Sequence, residues 1–204
     1  MRPQGMGVVA RLAVVGWLVV SGCAGSAVIK YDYASEPDPR KQEYVIGVSD
    51  KLTIRVWKNG DLSADVTVRP DGTITMPLIG DLKAAGQTPS QLRDAVTTEL
   101  AKYIKDEGAV VTIAVTAVNS YSFVVSGNVE HAGTFRSDHY VTVMEAVQLA
   151  GGPNRYASPD RLKLFRVTAE GTTRVIPINY DALLGGKRPD SNLALFSGDQ
   201  LHMP

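Results

Sequence analysis

The sequence predicts an α+β protein of two small modules, each a mixed or antiparallel β-sheet with one main helix. Two capping boxes, Thr88-Pro89-Ser90-Gln91 and Thr142-Val143-Met144-Glu145, each precede an apolar stripe at helical spacing. Around each stripe lie short alternating runs separated by Gly, Pro, Asn and Asp turns. This order of elements occurs twice, with the change-over at Asn119-Ser120.

Residues 1–22 have the outline of a secretory signal: a basic start (Arg2, Arg11), an apolar run from Leu12 to Val20, and small residues before Cys23. The run is about half of what a membrane-spanning helix needs. Cys23 is the single cysteine, so disulfides and cysteine metal sites are excluded. Removing residues 1–22 takes two positive charges and turns a formal charge of zero into −2. No bulk electrostatic footprint for nucleic acid remains. Residues 23–43 read as a tether, Ala24 to Gln42 reaching roughly 60 Å at about 3.3 Å per residue when extended.

The first module covers 44–118. Leu52, Ile54 and Val56 alternate with polar residues and form a half-buried strand. Val66 and Val68 alternate again up to the Arg69-Pro70-Asp71-Gly72 turn, and Ile74 and Met76 continue the partner strand to Pro77. The helix after Thr88 carries Leu92, Ala95, Val96, Leu100, Tyr103 and Ile104 and closes at Gly108. Val110 to Val118 is apolar on both faces and reads as a central strand.

The second module covers 119–204. Tyr121 to Ser126 is a strand ended by Gly127; another lies near Phe135, past the turn at His131-Ala132-Gly133. The second helix carries Val143, Ala146, Val147 and Ala150 and stops at Gly151-Gly152-Pro153. Leu162, Leu164 and Val167, then Thr173, Val175 and Ile178, form a hairpin around Glu170-Gly171, and Leu201 to Met203 close the module.

Several of these motifs together carry a family resemblance. Tyr44-x-Ile46-Gly47-x-x-Asp50-x-Leu52-x-Ile54-x-Val56 and Val68-x-x-Asp71-Gly72-x-Ile74-x-x-Pro77-Leu78-Ile79-Gly80 resemble the export domain of outer-membrane polysaccharide export proteins. Val125-Ser126-Gly127-x-Val129, Ala150-Gly151-Gly152 and Gly198-Asp199-x-Leu201-x-Met203-Pro204 are similar to a soluble-ligand-binding β-grasp (SLBB) domain. Ala132-Gly133 stands where the family usually has proline-glycine.

The resemblance implies that Cys23 ends a lipobox and is acylated, with two or more acyl chains needed for stable anchoring. It places the protein at the outer membrane facing the periplasm, without catalysis or cofactor. There it would form a homo-oligomeric ring passing polymer from an inner-membrane co-polymerase or chain-length regulator. Longer members carry a C-terminal amphipathic helix that lines the outer-membrane pore. A chain stopping at Pro204 is expected to dock beneath a separate β-barrel. A monomeric carbohydrate-binding or regulatory lipoprotein is the alternative.

No G-x-S-x-G elbow, Walker loop or H-E-x-x-H is present. Glu130-His131 and Asp138-His139 have ligand chemistry but read as solvated turns, and no metal site is expected. Trp57, Arg155 and Tyr156 are the candidate polymer contacts, because aromatic faces and guanidinium planes suit sugar rings and acidic substituents.

Overall fold

The computed structural model describes residues 31–104, 110–168 and 170–204. The expected signal segment, Cys23, the tether up to residue 30, and Gly108 lie outside the described residues. Residues 31–204 cluster as one unit, with an α+β arrangement around two hydrophobic cores.

The elements in chain order are β1 (Lys51–Val56), β2 (Ala64–Thr67), β3 (Thr73–Met76), β4 (Gly80–Lys83), α1 (Pro89–Leu100) and β5 (Val111–Ala117). They are followed by β6 (Ser122–Gly127), β7 (Gly133–Arg136), α2 (Val143–Leu149), β8 (Leu162–Val167), β9 (Thr173–Ile178), α3 (Tyr180–Leu184) and β10 (Gln200–Met203).

The first core is built on the antiparallel sheet β2-β1-β5. Alternation along β1 buries Leu52, Ile54 and Val56, which meet Leu92, Val96 and Leu100 from α1. The Thr88–Gln91 capping box forms as expected. The helix ends at Leu100, however, and Tyr103 is exposed instead of continuing the stripe.

Two strand expectations change. The Val110–Val118 run is an edge strand and not a central one, since β1 occupies the middle of its sheet. Its apolar residues Ile113 and Val115 are therefore only partly covered. And β3 does not extend the first sheet; it pairs with β4 in a separate hairpin. Arg69 stiffens that hairpin by donating to both Asp71 and Asp81. Asp71 also accepts the Thr73 amide and hydroxyl, and these donors hold its carboxyl well below the usual range, the Arg69 guanidinium most of all.

The second core lies under the five-stranded sheet β7-β6-β10-β8-β9, in which β10 runs parallel to β6 and antiparallel to β8. The α2 capping box Thr142–Glu145 forms. Gly127, at φ 86°, lets the closing strand approach; a Cβ there would lie 2.1 Å from the Met203 carbonyl oxygen. In β8 the buried positions are Leu162, Leu164 and Arg166, and Val167 faces solvent, against expectation. Strict period two selects the charged residue. In β9, likewise, Ile176 and Ile178 are buried and Val175 is exposed.

The tether expectation is corrected over residues 31–43. Tyr33 is buried in the second core, and its hydroxyl donates to the Pro177 carbonyl on the β9 edge. Glu36 is buried too, within reach of Arg166 and Arg174. This stretch packs because it brings its own aromatic ring and countercharge.

Candidate functional site

Trp57 follows the last residue of β1 and is 65% exposed. Its backbone N–H donates to the Val110 carbonyl (2.9 Å) and the Asn59 N–H to the Val56 carbonyl (3.1 Å), leaving Lys58 between them in the left-handed region at φ 61°. The Ser63 hydroxyl accepts the Val56 N–H at 3.0 Å. Between this turn and β5 lies a groove of about 400 Å³, lined by Arg55, Trp57, Lys58, Val110 and Thr112 among others. Arg55 reaches Asp65 at 3.2 Å, but both side chains are more than half exposed. The Thr53 hydroxyl, hydrogen-bonded to Asp65, is the main reason that carboxyl sits below its ordinary value.

Arg155 and Tyr156 lie on the loop after α2, in the other module. The guanidinium stacks over the Tyr156 ring at 4.7 Å, so the two candidates engage each other. The structure thus gives two separated exposed aromatic spots.

A buried site that the sequence did not assign a role lies where the modules meet. Asp50 is fully buried. Its Oδ1 accepts the backbone N–H groups of Asn119 and Ser120, each at 2.8 Å, and its Oδ2 accepts the Gly47 N–H at 2.8 Å and the Tyr44 and Ser120 hydroxyls. Burial, and then the hydrogen bond to Asp50, raise the Tyr44 phenol far above its ordinary value. Gly47 packs so closely that a Cβ there would lie 2.3 Å from the Ser120 side chain. Above this joint is a small cleft of about 160 Å³ whose lining includes Glu43, Tyr44, Tyr140 and Phe196 and, among the described residues, no cationic one. The signal was present in the Gly47-x-x-Asp50 spacing, which places a carboxylate back onto a loop amide.

The histidine pairs do not converge. His139 contacts Asp138 (Nδ1, 2.8 Å) and Glu145 (Nε2, 3.1 Å), while His131 lies beside Gly151. Among the described residues no cluster of three or more His, Cys, Asp or Glu is placed to hold a metal. Hydrogen bonds to Asp138 and then Glu145 raise the His139 imidazole above its usual value. A raised folded-state value means stability that is fully present below about pH 6.5 and lost as pH rises through the folded midpoint. An NMR titration is expected to place that midpoint above 6.5, and His139→Asn to remove this part of the pH dependence of the urea midpoint. Among the described residues no helix is long and apolar enough to cross a membrane.

Comparison with known proteins agrees with the module order. Residues 38–116 match the family described as polysaccharide biosynthesis/export protein, and residues 123–177 match the SLBB domain. The exopolysaccharide production protein ExoF of Rhizobium meliloti is 30% identical over 177 residues, 81% of this chain and 38% of that protein. The EPS I polysaccharide export outer membrane protein EpsA of Ralstonia solanacearum is 31% identical, covering 76% of this chain and 46% of its own length. The capsule polysaccharide export protein BexD of Haemophilus influenzae is 24% identical, with 76% of this chain and 42% of that protein aligned. The chain thus spans less than half the length of these relatives. With both modules matched in order, the chain belongs to the outer-membrane polysaccharide export family.

Proposed function

We propose that this chain is a non-catalytic component of an exopolysaccharide or capsule export conduit, anchored to the outer membrane through acylated Cys23 and facing the periplasm. The observation that carries this reading is the family match of both modules, in order, to proteins named for polysaccharide export. Polymer would arrive from an inner-membrane chain-length regulator and leave through an outer-membrane β-barrel.

Assembly of several copies around the polymer is supported by the outer edge of β5, which pairs with no second strand among the described residues. Trp57 donates to Val110, so Val110, Thr112 and Ala114 turn their backbone groups toward β1 while Val111, Ile113 and Val115 turn theirs outward. Of the edge strands of the three- and five-stranded sheets, β2, β5, β7 and β9, β5 alone has neither a charged residue nor a proline, the devices that keep sheet edges from pairing; β3 of the separate hairpin also lacks both but is only four residues long, against seven for β5. Deleting the gene is expected to abolish surface polysaccharide while polymer-synthesis genes stay expressed; normal surface polymer would refute the reading. The exposed Trp57 spot favours a second reading, a monomeric carbohydrate-binding lipoprotein. The mass of the detergent-extracted protein separates them, a stable multimer supporting the conduit.

A further inference from the structure

We propose that the groove beside Trp57 is a weak subsite for one carboxylate-bearing sugar unit of the polymer. The proposal rests on the export reading and deepens it by naming a substrate class. The groove, at about 400 Å³, falls at the small end of ligand sites and suits a sugar ring or two. The largely exposed indole of Trp57 offers an apolar face to the C–H side of such a ring.

The charges around that face select an acid. Arg55 and Lys58 both line the groove, and among the described residues no carboxylate does. Asp65 holds Arg55 from outside the lining, and Asp61 lies in the Gly60–Leu62 turn without entering it. Lys58 makes no salt bridge among the described residues. The exposed Arg55–Asp65 pair is a weak competitor, so the guanidinium can exchange it for an incoming carboxylate in fork geometry.

Lys58 is moreover fixed in the left-handed region by the flanking Trp57 and Asn59 hydrogen bonds. The intermodule cleft makes the contrast: aromatic as well, but carrying Glu43 and, among the described residues, no cation.

The two tryptophans of the chain are Trp17, within the expected signal segment, and Trp57, so in the detergent-extracted lipoprotein that begins at Cys23 the tryptophan emission reports on Trp57 alone. Oligogalacturonate is expected to change its emission saturably in the millimolar range, with maltotriose at least about tenfold weaker and inorganic phosphate without effect. Adding Arg55→Gln and Lys58→Gln should weaken oligogalacturonate about tenfold with the urea midpoint unchanged. Should the double change prevent folding, Lys58→Gln alone supplies the comparison. Three results would overturn the subsite: no saturable response to oligogalacturonate, an equal response to maltotriose, or an equal response to phosphate. If the gene deletion removes surface polymer while these titrations are flat, export stands and the subsite falls.

Discussion

Asp50→Ala is expected to lower stability by about 3–5 kcal/mol, among the largest effects of any single change in this protein. The carboxylate accepts three backbone N–H groups and two hydroxyls in a fully buried position. Alanine removes every acceptor at once and strands the Gly47, Asn119 and Ser120 amides. Each buried donor left unpaired costs about 1–3 kcal/mol. Asparagine does not rescue the site, because both carboxylate oxygens accept backbone N–H groups and an amide nitrogen would face one of those donors. Urea unfolding gives the magnitude, and hydrogen exchange locates it. The Asn119 and Ser120 amides should lose protection in Asp50→Asn beyond the global loss, since they join β5 to β6. An Asp50→Asn midpoint within about 0.5 kcal/mol of the parent would show that the joint does not depend on this carboxylate. In the proposed conduit the joint would set how the two modules are presented to neighbouring copies.

The parts of the fold legible in the sequence are those written locally. Thr88–Gln91 and Thr142–Glu145 announce their helices within four residues, and Leu52-Ile54-Val56 shows its buried face by alternation alone. What was misread depends on partners far along the chain. Val110 to Val118 looks central because β-branched residues occupy both faces, yet whether a strand has one neighbour or two is not written in the strand. The β4 strand offers a single apolar residue, Leu82, and α3 spans only five residues, although Asn179 caps it on the Ala182 amide. Residues 31–43 look like tether by composition, and only the buried pocket for Tyr33 and Glu36 makes them part of the fold. At the candidate site, Trp57 was visible as an aromatic at a strand end. Its groove was not, because Thr112 of β5 and Val110 just before that strand lie more than fifty residues away. Asp50 belonged to a recognisable motif, but its work is done on amides about seventy positions later.

Arg166→Ala is the second large change, with an expected loss of about 3–5 kcal/mol near neutral pH. Arg166 points into the second core, donating to both oxygens of Asp199, to the Ala194 carbonyl and to Glu36, with its guanidinium 4.6 Å over the Phe196 ring. Removing it leaves two buried carboxylates, of which, among the described residues, only Glu36 keeps a cation, Arg174. Burial already pushes Asp199 above its ordinary value despite the opposing pull of Arg166. A carboxyl raised in the folded state contributes stability that is present below its unfolded value of about 3.9 and lost as pH rises through the folded one. Without Arg166 the folded value climbs further, so the deficit of Arg166→Ala should shrink as pH falls from 7 toward 4. A purely steric cavity would give a pH-independent deficit. Glu36 ties residues 31–36 to this cluster, so the variant should also be cut faster by trypsin after Arg40 and Lys41 under native conditions. Replacing the charges together, as Arg166→Met with Asp199→Leu and Glu36→Gln, should recover much of the loss, because apolar packing can stand in for a buried ionic cluster where a half-removed one cannot.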